Sequence, residues 1–179
     1  SDGTGDGSSW GNATSELQYA AAVASDGETQ VWVKTGTYYG DVTEANGAFN
    51  IYQRNRVYGG FEGDETPDFN IDNRDLENNP TILDGENQRR VINQQDHFGS
   101  SAFSIWDGFT IQNGSAGSGG GAYLCSNSYF YNCSFINNTS NGQGGAIYSV
   151  TPLNDHSKNI IENCIFENNT PSMGGAIFD

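Results

Sequence analysis

Cys133-Ser134-Phe135-Ile136-Asn137-Asn138, followed by Gly144-Gly145-Ala146-Ile147, is the stretch that decides how this chain folds. It recurs as Cys164-Ile165-Phe166-Glu167-Asn168-Asn169 with Gly174-Gly175-Ala176-Ile177. A looser copy precedes both, Phe109-Thr110-Ile111-Gln112-Asn113 with Gly120-Gly121-Ala122. From Gly120 to Gly144 is 24 residues and from Gly144 to Gly174 is 30. A period of this size, kept three times, marks a solenoid in which each repeat is one turn.

Each copy alternates with period two. Phe109, Cys133 and Cys164 therefore share a face with Ile111, Phe135 and Phe166, while Thr110, Ser134 and Ile165 point the other way. Stacked parallel strands lie about 4.8 Å apart, so the spacing predicts columns of like residues. Phe135 is expected over Phe166, and Asn113, Asn137 and Asn168 are expected to form a buried ladder that passes amide hydrogen bonds along a turn. The pairs Gly144-Gly145 and Gly174-Gly175 are expected at corners where φ is positive or where a Cβ would meet the next rung.

Upstream, strands are expected over residues 30–34, 55–61, 81–84 and 89–93. That makes about five to six rungs and a rod about 25 to 30 Å long. Residues 62–80, rich in Asp and Asn with Pro67 and Pro80, read as an excursion from the coil, and residues 151–159 as a shorter one. Solenoids carry such insertions on one face, often the binding face. Ser15-Glu16-Leu17-Gln18 has the capping-box pattern, and Leu17, Ala20, Ala21 and Ala24 then repeat at helical spacing up to Asp26-Gly27. A short N-terminal capping α-helix is expected to cover the open end of the first coil. The expected organisation is one all-β parallel β-helix (solenoid) domain over 1–179. It has an N-terminal cap over 1–28, irregular rungs over 29–107 with the insertion at 62–80, and regular rungs over 108–179. No second cap follows Phe178-Asp179, so a fragment of a longer solenoid is expected.

Hydrophobic residues make up 35% and 24 residues are Gly, which suits a slender coil with a thin core. Asp and Glu number 22 against 7 Lys and Arg, a formal charge of −15. Such a charge repels phosphate, so nucleic acid is excluded as an expected partner. No stretch reaches the roughly 18 to 20 apolar residues of a membrane span, so no membrane insertion by this segment is expected. Cys133 and Cys164 occupy equivalent positions in adjacent copies. Stacked reduced thiols are favoured over a disulfide because parallel side-chain vectors oppose bridging, and Cys125 lies outside the pair.

The paired signatures Phe-x-Asn-Asn and Gly-Gly-Ala-Ile resemble the repeats of the chlamydial polymorphic outer membrane proteins, over about residues 108–178. Resemblance to that family implies a right-handed parallel β-helix carried as the surface-exposed passenger of an autotransporter and acting as an adhesin. The first copy departs from it, with Ile111 in place of Phe and Tyr123 in place of Ile. Asp2-Gly3-Thr4-Gly5-Asp6-Gly7-Ser8-Ser9-Trp10, Val31-Trp32-Val33-Lys34-Thr35-Gly36-Thr37-Tyr38 and Tyr58-Gly59-Gly60-Phe61-Glu62-Gly63 are similar to the start of secreted bacterial pectate-lyase-like β-helix proteins. Many of those are surface or adhesin-type proteins, and some relatives are polyuronate lyases.

Chemistry-bearing candidates are few. Asp2 and Asp6, in a Gly-rich loop with several carbonyls, offer the oxygen ligands calcium accepts, or form a tight polar turn. A polyuronate lyase needs a base, and Lys34, Lys158 and Arg89-Arg90 supply the cations, the last flanked by Asp84 and Glu86 as in a structural ion cluster. His97 and His156 sit in loop-like sequence. Asp84 and Asp107 each precede Gly after a short strand, which suits either a glycosidase carboxylate pair on neighbouring rungs or ordinary turns. Tyr38, Tyr39, Tyr129 and Tyr131 are outer-face candidates for stacking on sugars or anchoring a protein. Asn12, Asn113, Asn132, Asn137, Asn138 and Asn168 begin Asn-x-Ser/Thr triplets, and glycosylation at Asn113, Asn137 or Asn168 would contradict the ladder. The expected function is a non-catalytic, secreted or cell-surface module for adhesion or display, with a host or matrix protein or glycan as partner. The alternative is the N-terminal part of a polysaccharide lyase or glycoside hydrolase whose catalytic rungs lie beyond residue 179.

Overall fold

The structure is a computed structural model that describes residues 4–24, 27–40, 48–52, 54–94, 102–125, 127–150 and 158–179. Among the described residues the chain winds through five turns. The first holds β1 (Val31–Lys34), β2 (Gly36–Tyr39) and β3 (Phe49–Asn50), and the second β4 (Arg56–Phe61), β5 (Thr81–Asp84) and β6 (Ile92–Asn93). The third holds β7 (Ser104–Asp107), β8 (Phe109–Gln112), β9 (Ser115–Ala116) and β10 (Ala122–Leu124). The fourth holds β11 (Ser128–Tyr131), β12 (Ser134–Ile136), β13 (Thr139–Gln143) and β14 (Ile147–Ser149). The fifth holds β15 (Ile160–Glu162), β16 (Ile165–Glu167), β17 (Thr170–Met173) and β18 (Ile177–Phe178). Each strand pairs in parallel with its counterpart one turn away. Four sheets result: sheet A (β1-β4-β7-β11-β15), sheet B (β2-β5-β8-β12-β16), sheet C (β3-β6-β10-β14-β18) and the narrow sheet D (β9-β13-β17). This is the parallel β-helix expected from the repeat.

The core fills the coil with inward columns from sheets A, B and C. Leu83, Ile111 and Phe135 are fully buried on sheet B, Val57, Trp106 and Phe130 on sheet A, and Ile92, Ala122 and Ile147 on sheet C. Phe135 and Phe166 stack at 5.0 Å with planes 3° apart. Burying one such side chain contributes about 1.5 to 3 kcal/mol.

Corners are made by single residues in the left-handed region. Gly108, Asn132 and Asn163 turn the chain from sheet A to sheet B, and Asn113, Asn137 and Asn168 turn it from B to D. Gly119, Gly144 and Gly174 turn it from D to C. Glycine adopts positive φ freely. Asn tolerates it because its short side chain hydrogen-bonds locally.

These corners correct the expected ladder. Asn137 and Asn168 are exposed and Asn113 is half-exposed, so none of the three is the buried rung. The ladder lies one residue further on. Asn138, wholly buried, donates from Nδ2 to the Ile111 carbonyl at 2.9 Å and to Asn169 Oδ1 at 3.0 Å, while its Oδ1 accepts the Gly114 amide at 2.8 Å. Asn169 repeats the reach, donating to the Phe135 carbonyl at 2.8 Å. The Asn-Asn doublet thus divides its labour, the first residue bending the chain and the second bonding the rungs. The glycine register is corrected too. Ala122 pairs with Ile147 and Ile147 with Ile177, so the first copy's corner glycine is Gly119, where Gly120 was expected.

A second polar column runs along the corner from sheet C to sheet A. Ser104 and Ser128 meet there, Ser128 donates from Oγ to Gln94 Oε1 at 3.0 Å, and its amide donates to Asn159 Oδ1 at 2.9 Å. Where the second turn opens, Asn55, wholly buried, occupies this corner. Its amide nitrogen donates to the carbonyls of Ala21, in helix α1 (Leu17–Val23), and of Ala24, its C-cap. Leu17, Ala21 and Ala24 are buried against the coil, so α1 covers this end as its spacing requires. The capping box itself does not form. Glu16 is the N-cap without a side-chain bond, and the Gln18 side-chain oxygen accepts the Asn50 amide instead.

Candidate interaction face

Outward side chains of sheet A form two columns. One runs Trp32, Tyr58, Asp107, Tyr131, Glu162, and the other Arg56, Ile105, Tyr129, Ile160. In the later turns Phe103 stacks on Tyr129 at 4.8 Å, and Tyr131 meets Tyr129 edge-on at 6.4 Å. Phe103, Ile105, Tyr129, Tyr131 and Ile160 are all half-buried, an aromatic and aliphatic strip open to solvent along one side of the rod. Burial pushes the Tyr131 phenol up, and Glu162, Tyr129 and Asp107 add to it.

The earlier turns of the same sheet are covered by the segment between β4 and β5. Arg74 Nη2 pairs with Asp107 Oδ2 at 3.1 Å, both side chains largely buried. Arg74 Nη1 donates to the carbonyls of Gly59 and Asp107, and the guanidinium lies 5.3 Å from the centre of the Tyr58 ring. Gly60 and Gly108, both at positive φ, leave the notch that Leu76 occupies. A Cβ on Gly108 would stand 2.9 Å from Leu76 Cδ2. An aromatic nest continues outward, with Trp32 stacked on Phe61 at 4.7 Å and Trp10 and Phe69 against Phe61. Trp10 Nε1 donates to the Glu65 carbonyl, while the Glu65 carboxylate accepts the amides of Glu62, Gly63 and Asp64. Burial pushes the Glu65 carboxyl up, and those amides outweigh it, leaving it below the usual carboxylate range.

Other candidates fall elsewhere. Asp84 is on sheet B, accepting from Gln112, Asn113 and the Glu86 amide, whereas Asp107 is on sheet A, bound to Arg74 and Asn132. Lying on different sheets with separate partners, they are not a carboxylate pair. Arg89 pairs with Glu86, and Arg90 donates to the Gly119 and Ser118 carbonyls beneath the Tyr123 ring. Tyr38 turns inward against the core with its hydroxyl on the Lys34 carbonyl, which corrects its expected outward place, whereas Tyr39 is exposed. Asp6 accepts from the Thr4 hydroxyl and the Ser8 amide and is held at about 2, the bond to Ser8 being the largest cause. Asp2, His97 and His156 lie outside the described residues. Among the described residues, no three His, Cys, Asp or Glu converge as a metal-binding group. Gly144 and Gly174 take positive φ, and a Cβ on Gly145 would approach the Thr170 backbone nitrogen at 2.7 Å. Gly175 has more room, its nearest atom being the Ile177 carbonyl oxygen at 3.6 Å.

Cys133 and Cys164 are reduced thiols on adjacent rungs. Burial pushes Cys133 up, and the hydrogen bond from its thiol brings Cys164 down to about 7. Cys125 donates its amide and thiol to Gln94.

The sequence reading missed Arg74, Leu76 and Phe103. Gly59-Gly60 and Gly108 were the available signal, since glycines inside apolar strands mark a close approach by other atoms. Residues 132–150, most of the fourth turn, match the family model of the Chlamydia polymorphic membrane protein repeat. No curated protein and no solved structure matches the chain.

Proposed function

We propose that this chain is a display module of a cell-surface protein and that it works in adhesion through the outer face of sheet A. The observation that carries the reading is the half-buried strip of Phe103, Ile105, Tyr129, Tyr131 and Ile160, set on a rigid coil and bordered by a pinned excursion. Aromatic residues concentrate where proteins meet partners, being large, stiff and amphipathic. The match over residues 132–150 supports the location, because that repeat belongs to an outer-membrane and surface protein family. The partner would be a host or matrix protein or glycan, held by non-covalent contact along this face.

Adhesion is tested by immobilising the chain and measuring attachment of cells and of matrix proteins and glycans. Attachment above that of an unrelated acidic protein, reduced by Tyr129→Ala with Tyr131→Ala, is expected. Equal attachment by the unaltered chain and this double variant would remove this face from the function. The enzyme alternative predicts unsaturated products from a panel of polyuronates, measured by ultraviolet absorbance on a chain extended beyond residue 179.

A further inference from the structure

We propose that Tyr131 and Glu162 form a subsite for an arginine side chain presented by an extended segment of a partner protein. The inference rests on the adhesion reading and names the partner chemistry of the same face. The molecule contains its own template. In the outward column of sheet A, Tyr58 and Asp107 stand on neighbouring rungs, and a guanidinium fills the place between them. Arg74 lies over the Tyr58 ring and pairs with the Asp107 carboxylate. Two rungs on, the column repeats the same pair in the same order, with Tyr131 in register with Glu162. Among the described residues no cation of this chain occupies the second pair.

Physical chemistry makes the two places alike. A ring face and a carboxylate one strand spacing apart satisfy both the flat surface and the charge of a guanidinium. Gly108 bares backbone to Arg74 at the first pair. At the second, the corresponding corner residues Asn132 and Asn163 are exposed and bring side-chain amides. Tyr129 and Phe103 extend the apolar floor for the aliphatic stem and for neighbouring residues of the segment. Charge favours the encounter. The chain carries 22 acidic against 7 basic residues, and Arg74 and Arg89 are already paired with acids. The ammonium of Lys lacks the planar fork, so arginine is preferred over lysine.

The test uses the whole chain and three blocked peptides, Gly-Ser-Gly-Arg-Gly-Ser-Gly and its lysine and citrulline versions, with binding measured by calorimetry and by chemical-shift changes of Tyr131. Arginine is expected to bind best, lysine about three- to fivefold more weakly and neutral citrulline not measurably. Glu162→Gln and Tyr131→Leu should each weaken the arginine peptide by about fivefold or more. Glu77→Gln, which removes the same charge elsewhere, should leave it unchanged, and circular dichroism verifies that each variant keeps the fold. Equal loss with Glu77→Gln, or equal binding of arginine and citrulline, overturns the subsite. The two readings separate by outcome. Attachment of cells or matrix that survives Tyr131→Leu and Glu162→Gln sinks the subsite and leaves adhesion standing. Arginine selectivity without any such attachment keeps the subsite and sinks adhesion.

Discussion

Between β4 and β7 the coil is fastened from outside, by Arg74 and Leu76 of a segment that returns over sheet A. Between β12 and β16 it is fastened from inside, by Asn138 and Asn169 bonding one rung to the next. Both devices satisfy buried polar groups at a corner of the same cross-section. The inner one repeats with the rungs and needs a single residue per turn. The outer one is made once and needs a whole segment, three glycines and an acid. A solenoid can therefore abandon repetition locally without losing register, provided another part of the chain supplies the missing bonds.

The comparison is broken most sharply at Asn138. Asn138→Ala strands the Gly114 amide and removes the side-chain donor to the Ile111 carbonyl and to Asn169 Oδ1, so a loss of about 3 to 4 kcal/mol in urea unfolding is expected. The adjacent Asn137→Ala should lose about 1 kcal/mol, the cost of left-handed backbone without Asn. Equal losses at the two positions would overturn the division of labour. The outer fastening comes next. Arg74→Ala leaves Asp107 without its main partner in a mostly buried place, and about 2 to 3 kcal/mol should go. Arg74→Lys should recover only part, because one ammonium cannot reach both carbonyls and the carboxylate.

A smaller effect sharpens the outer region. The Glu65 carboxyl is held below its ordinary value in the folded chain, so it stabilises the turn at neutral pH, and that contribution fades as pH falls through its folded value. Trp10, bonded to the Glu65 carbonyl, should report this as an acid shift in fluorescence that Glu65→Gln flattens. The smallest effect touches no stability at all. Cys164 should be alkylated by iodoacetamide near neutral pH well before Cys133, which should react only on unfolding, as peptide mass mapping would show.

Periodicity made the inner region legible. Phe135 and Phe166, the strands at 81–84 and the helix over Leu17 to Val23 follow from spacing alone, because a residue type repeated at a fixed interval has one simple geometric meaning. The ladder was misread by one residue because Asn has two uses, in left-handed corners and in amide ladders, and the doublet Asn137-Asn138 contains both. Gly119-Gly120-Gly121 hid its register for a similar reason, since three identical residues offer no phase. Arg74 and Leu76 were out of reach. Their partners are 33 and 32 residues away at Asp107 and Gly108, and no interval in the chain repeats that pairing.

One-residue corners carry a consequence for how such a chain tolerates change. Counterpart residues of sheet B are 24 apart from β8 to β12 and 31 apart from β12 to β16, yet the three strands pair residue for residue. Surplus length is set aside between Ser149 and Ile160, after one turn has closed and before the next opens. Foreign peptides spliced at that junction should ride on the scaffold as passengers, whereas the corner at Asn137, a single residue in the left-handed region, offers no such slack.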